Sequence, residues 1–157
     1  MAKNKHLTFD ERSEIEVMLK HHRSFRQIAS ALSKDPTTIS KEIRSRSLSR
    51  RIGGMGVNYN ACASRFKCSK RHICRICHSE RKHTLCRRCS MCNAFCESFE
   101  RETCCKLDKP PYVCNGCSSR LSCTLEKKLY YTSEAHQQYR SVLSESRTAI
   151  SSPYLCY

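Results

Sequence analysis

The placement of the cysteines constrains this chain more than any other feature. None occurs before Cys62, thirteen fall between Cys62 and Cys123, and Cys156 stands alone near the end. A stretch this rich in thiols, in a chain with no tryptophan and few aromatic side chains, lacks the apolar material for an ordinary core. Crosslinking has to supply what hydrophobic burial cannot. The choice between disulfide and metal turns on the compartment. The opening MAKNKHLTFDERSEIE is charged, carries no apolar run of signal-peptide type, and is followed by no segment apolar enough to span a membrane. A location in the bacterial or eukaryotic cytosol is therefore expected. Thiols there stay reduced, so dense cysteine points to metal.

The spacing supports the same reading. Two thiolates separated by two residues can grip one tetrahedral ion from a tight turn. Cys74/Cys77, Cys86/Cys89, Cys89/Cys92 and Cys114/Cys117 all have that spacing. Cys92 and Cys96 lie one helical turn apart, Cys62, Cys68 and Cys74 follow one another at intervals of six, and Cys123 lies six after Cys117. With Cys104 and Cys105 these are the expected ligands of Zn²⁺, two or three ions in all, and His72, His78 and His83 can each replace a thiolate. The grouping into sites cannot be read from spacing. An iron–sulfur cluster is the alternative, because CRRCSMCNAFC (Cys86–Cys96) has a ferredoxin-like arrangement. That arrangement has no second copy, and Glu97 stands where proline is usual. CRICH (Cys74–His78) matches a haem-attachment pattern, but attachment requires export. Disulfides would require export too.

Charge identifies the class of partner. The formal net charge is +15, with 29 Lys and Arg against 14 Asp and Glu. Three Cys₄ zinc sites, each about −2, would leave roughly +9, still an excess that suits a polyanion. Nucleic acid is the polyanion such an excess favours, and the pattern of the first sixty residues narrows the expectation to double-stranded DNA.

The first sixty residues carry the pattern of a DNA-binding head. Thr8 and Glu11 form a capping box, followed by Ile15, Met18 and Leu19 as a narrow apolar stripe on an otherwise charged helix ending near His21–His22. Ser24 caps a second helix whose apolar face is Phe25, Ile28, Ala29 and Leu32. After a break at Ser33-Lys34, Asp35 caps a third, with Pro36 at its first position and Ile39 and Ile43 for packing. A short helix, a tight turn and a helix with hydroxyl and basic residues outside make a helix-turn-helix. Thr37, Thr38, Ser40, Lys41 and Arg44 are its expected DNA-facing residues, with Arg26 on the preceding helix. Arg46, Arg50 and Arg51 open a Ser-, Arg- and Gly-rich linker of the kind that tracks phosphates.

The segment HLTFDERSEIEVMLKHHRSFRQIASALSKDPTTISKEIRSR resembles the N-terminal helix-turn-helix of insertion-sequence-30 family bacterial transposases. The resemblance rests on the HLTxxER opening, the SFRxIA second helix and the DPTTISKEI recognition helix, and it departs at Ser33, where the family usually has glycine. PYVCNGC (Pro111–Cys117) is similar to part of a cysteine-rich insert in one branch. The resemblance implies binding to the terminal inverted repeats of a mobile element; a homodimer is a separate expectation. The resemblance also implies an Asp-Asp-Glu catalytic domain, which needs well over a hundred further residues and three carboxylates. No aspartate follows Asp108. The expectation is therefore a truncated transposase that recognises DNA and is not an enzyme. Two alternatives stand beside it: a zinc-dependent protein-interaction module with a vestigial helix-turn-helix, and a fragment of an active transposase whose reading frame continues.

The architecture expected is mainly α. A three-helix helix-turn-helix domain (1–46) and a basic linker (47–61) lead into an irregular, metal-stabilised cysteine module (62–123). The tail (124–157) holds one amphipathic helix capped by Ser133, with Ala135, Tyr139, Val142 and Leu143 on the face that packs on the cysteine module.

Overall fold

The computed structural model describes residues 6–50, 59–74 and 85–150, with the side chains of 148–150 left aside. The described residues are mainly helical. The helices are α1 (Phe9–Lys20), α2 (Phe25–Ala31), α3 (Pro36–Arg46), the single turn α4 (Cys92–Phe95) and the long α5 (Thr132–Ile150). Two short strands, β1 (Leu48–Arg50) and β2 (Lys127–Leu129), pair as a two-stranded sheet.

The chain divides into two compact units. The first gathers residues 6–48, 110–116 and 128–150, and the second holds the described residues of 49–109 and 117–127.

In the first unit the three N-terminal helices start where the capping chemistry places them. Thr8 and Glu11, then Ser24 and Gln27, form reciprocal capping boxes, and Asp35 accepts the Thr37 backbone N–H with Pro36 at the first position. The helix ends are less conventional. At the end of α1 the His22 and Arg23 amides return to the Leu19 and Met18 carbonyls, and after α2 the Ser33 and Lys34 amides return to Ser30 and Ala29. Both are Schellman closures, which need a left-handed residue, usually glycine. Here the residues are His22 (φ 58°) and Ser33 (φ 51°). One glycine is required for a different reason. A Cβ on Gly116 would sit 2.6 Å from the Leu19 carbonyl oxygen, so only glycine lets this segment lie against the end of α1.

The core of this unit is Ile15, Leu19, Ile28, Ala29, Ile39 and Ile43, joined by Val113, Tyr130 and Ala135 from far along the chain. The expectation that the C-terminal helix packs on the cysteine module is corrected here: α5 packs against α1 and α3. Its first residue is Thr132, one before the expected cap. A carboxylate from another helix satisfies that end, since the Thr132 N–H donates to Glu16 Oε2 at 2.8 Å. Burial alone would raise the Glu16 carboxyl, but hydrogen bonds from Lys20 and Thr132 outweigh it and hold it below its ordinary value. A negative charge at a helix N-terminus is favourable for the same reason. Residues 113–115 are stitched to 128–130. The Cys114 N–H donates to the Lys128 carbonyl at 2.6 Å, and the Asn115 side chain bonds both the N–H and the carbonyl of Tyr130.

Through the middle of the unit runs a polar cluster. Arg12, 1% exposed, donates from Nε to Glu42 Oε1 at 2.7 Å, and from Nη1 to the Leu7 carbonyl at 2.7 Å. Its guanidinium lies 4.6 Å from the centre of the Tyr139 ring. Glu42 also receives the Tyr130 hydroxyl at 3.3 Å and Arg46 Nε at 3.3 Å. Burial, and then the nearby Glu42 charge, push the Tyr130 phenol far above its ordinary value, so it stays a donor.

The second unit has a different interior. Its buried side chains of apolar type are Ala61, Cys62, Cys74, Cys86, Cys89 and Cys92. Two asparagines organise its backbone. Asn60 donates to the Cys86 carbonyl and accepts the Cys62 N–H, while Asn93 donates to the Tyr59 carbonyl and accepts the Ala61 N–H. Residues 61–63 run antiparallel to 100–102 through an isolated bridge between Cys62 and Arg101.

Two outcomes test this account. Ser33→Gly should raise stability by about 0.5–1 kcal/mol, seen as a higher Tm, because it relieves a left-handed serine. Arg12→Met should cost about 3 kcal/mol in urea unfolding, because Glu42 loses its nearest cation and keeps only Arg46 and the Tyr130 hydroxyl, and adding Glu42→Met should recover part of that loss.

Candidate nucleic-acid interface

The geometry of α3 separates an inner and an outer face. Ile39 and Ile43 are fully buried, and Glu42 beside them meets Arg12 and Tyr130. This anchors one side of the helix. Thr37, Thr38, Lys41 and Arg44 are exposed on the other side, and Ser40 is half-buried at the edge. Thr37, Lys41 and Arg44 fall at i, i+4 and i+7, so they share one stripe.

Each outer residue has a definite setting. The Thr37 hydroxyl donates to Asp35 Oδ1 at 2.5 Å, and that oxygen also takes the Thr37 N–H at 2.7 Å. These two bonds, with a smaller contribution from the Lys41 charge, hold the Asp35 carboxyl below its ordinary value. The cap thus remains ionised and fixed beside the N-terminal half of α3. Arg44 lies with its guanidinium 4.0 Å from the centre of the Tyr112 ring. The Tyr112 ring in turn packs on Phe25, centroids 5.9 Å apart.

The other expected DNA-binding residues fall in three places. Arg26 is exposed on α2, and Arg50 is exposed on β1. Arg46 is half-buried, paired with Glu42 and 5.5 Å from the Tyr139 ring centre, so its charge is engaged inside the unit. Arg51 lies outside the described residues. Sequence reasoning missed Tyr112. Its sole signal was an aromatic residue after Pro110-Pro111, and nothing local links it to a helix far upstream.

The expected metal ligands lie in both units. Cys62, Cys74, Cys86, Cys89 and Cys92 are buried, while Cys68, Cys96, Cys104, Cys117 and Cys123 are half-buried and Cys105 is exposed. Cys114 belongs to the first unit. Cys77, with His78 and His83, lies outside the described residues. The described cysteines are not joined to one another by disulfides. Cys74 and Cys89 pack together under Met91. Cys92 and Cys96 form a hydrogen-bonded pair with opposite tendencies. Burial and the neighbouring Cys96 push Cys92 up to about 11. The Ser98 hydroxyl, with lesser help from its backbone and Lys70, draws Cys96 below its ordinary value despite partial desolvation. A soft thiolate donor set suits Zn²⁺ in kind. Among the described residues, however, no three Cys, His, Asp or Glu side chains gather as a metal site requires.

Comparison with known families places the head. A family model described as a helix-turn-helix domain matches residues 3–46, the span that holds α1, α2 and α3. The chain therefore carries a helix-turn-helix domain, and DNA is the partner that such a domain indicates. No curated protein and no solved structure matches the chain. Among the described residues, no helix is long and apolar enough to cross a membrane.

Proposed function

We propose that this chain is the DNA-recognition part of an insertion-sequence transposase and that it binds the terminal inverted repeats of its element. One observation carries the DNA-binding part: α3 exposes Thr37, Thr38, Lys41 and Arg44 together while its opposite side is locked to the core. The helix-turn-helix match over residues 3–46 and the sequence resemblance to insertion-sequence-30 transposases support the transposase part. In this reading the N-terminal half of α3 enters the major groove, and Thr37, Thr38 and Lys41 meet base edges. Arg44, one turn further, meets a phosphate, and Arg26 and Arg50 add phosphate contacts. Recognition, rather than strand cleavage, is the activity assigned to this chain. Binding as a homodimer on the bacterial nucleoid completes the reading.

We also propose that Zn²⁺ stabilises the second unit. The support is its interior, where five buried cysteines stand in place of aliphatic side chains. Cys74 lies with Cys89 and Cys92 with Cys96, so a four-ligand site requires further ligands such as Cys77 or His78. A metal held there would supply the crosslinking that apolar burial does not.

Fluorescence anisotropy on inverted-repeat and random duplexes tests the first proposal. Lys41→Ala should cost about 1–3 kcal/mol on the repeat and far less on random DNA. Arg44→Ala should weaken both alike and lower the salt slope by about one. Unchanged binding when both are replaced would refute it. For the second, elemental analysis of the colourless protein should find zinc, and a chelator should abolish the ordered signals of residues 59–74 and 85–109 while α1–α3 persist. A brown protein containing iron would indicate a cluster in its place.

A further inference from the structure

The outer face of the recognition helix includes one contact from a distant part of the sequence. Arg44 is exposed, yet its guanidinium is not loose: it stacks on the Tyr112 ring at 4.0 Å. Tyr112 is held on both sides. Its ring packs on Phe25 at the start of α2, and the residue after it, Val113, is buried in the same core as Ile28 and Ile39. Two residues further, Asn115 is bonded to both backbone groups of Tyr130. Tyr112 itself has a left-handed backbone, φ 63°, which an aromatic residue adopts only when its surroundings impose it. The ring is thus a fixed platform on the first unit.

A guanidinium centred over a ring makes that contact without committing its N–H donors to an acceptor, so they remain available. Those groups are what a phosphate oxygen requires. A long arginine side chain otherwise loses rotamer freedom when it binds, and a platform that orders it beforehand reduces that loss. We propose that Tyr112 is a positioning residue for DNA binding, holding Arg44 in the orientation in which it meets a backbone phosphate. The proposal rests on the DNA-binding reading above. It extends the interface beyond the helix-turn-helix to a segment that follows most of the cysteines.

The test uses the full chain and a fluorescein-labelled random-sequence duplex, since a phosphate contact is independent of sequence. Affinity and its salt dependence would be compared for the wild type, Arg44→Ala, Tyr112→Phe, Tyr112→Leu and the Arg44→Ala/Tyr112→Leu double variant. Tyr112→Phe keeps the ring and should bind within about twofold of wild type, whereas Tyr112→Leu should bind about two- to fivefold more weakly. The salt slope of Tyr112→Leu should fall between wild type and Arg44→Ala. In the Arg44→Ala background Tyr112→Leu should add no further loss. An equal loss in that background would show that the ring acts through the fold or by its own contact, and would overturn the proposal. Wild-type affinity and slope in Tyr112→Leu would overturn it too. If Arg44→Ala weakens binding and Tyr112→Leu does not, only the positioning role fails; if Arg44→Ala is silent on this duplex and Lys41→Ala is silent on the inverted repeat, the DNA-binding reading itself fails.

Discussion

The buried pair of Arg12 and Glu42 is the interaction on which the first unit depends. Burying a guanidinium to 1% exposure is costly unless its donors are taken up, and here they meet Glu42 and the Leu7 carbonyl while the Tyr139 ring lies against it. Glu42 is under the same constraint and takes donors from Arg12, Arg46 and Tyr130. The pair therefore ties α1 to α3 and recruits the chain on either side of Thr132 to close the cluster. An apolar contact tolerates sliding by a fraction of a turn. A charged pair with a forked donor does not, so the rotation of α3 about its own axis is set from inside. That rotation decides which residues face outward.

This arrangement explains which part of the fold was legible in the sequence. Caps and apolar spacing are local, and Thr8, Ser24 and Asp35 mark the helix starts where the structure has them. The same local logic identified the helix-turn-helix and its outer residues. It could not assign Arg12 and Glu42, which look like members of a solvated face, because their burial comes from Tyr130 and Tyr139 near the other end of the chain. The helix ends were obscured for a chemical reason, with histidine and serine occupying left-handed positions where glycine would have been the readable signal. The docking of α5 was misassigned because an amphipathic helix shows which of its faces is apolar but not what covers it.

The cysteine unit was legible in kind and not in arrangement. Spacing singled out the thiols, and the structure buries five of them where another protein would place leucine or valine. Spacing carries no information about Asn60 and Asn93, whose side chains substitute for regular secondary structure by bonding backbone groups across the unit. Buried cysteine is small and weakly polar, and packs as a modest hydrophobe. Five such side chains bury little area, so the interior gains less from the hydrophobic effect than the isoleucine-rich core of the first unit.

The division of the first unit into three stretches of sequence has a consequence for how the protein is made. Synthesis proceeds from the N-terminus at roughly 5–20 residues per second, so the helix-turn-helix emerges early while Thr132 and Tyr139 follow roughly ten seconds later. During that interval Arg12 and Glu42 have each other but neither the phenol of Tyr130 nor the ring of Tyr139, and the end of α1 lacks the segment around Gly116. A nascent chain thus displays α3 before the groups that close the polar cluster behind it exist. The completed surface is a property of the finished polypeptide, reached only after the whole cysteine-bearing stretch has left the ribosome.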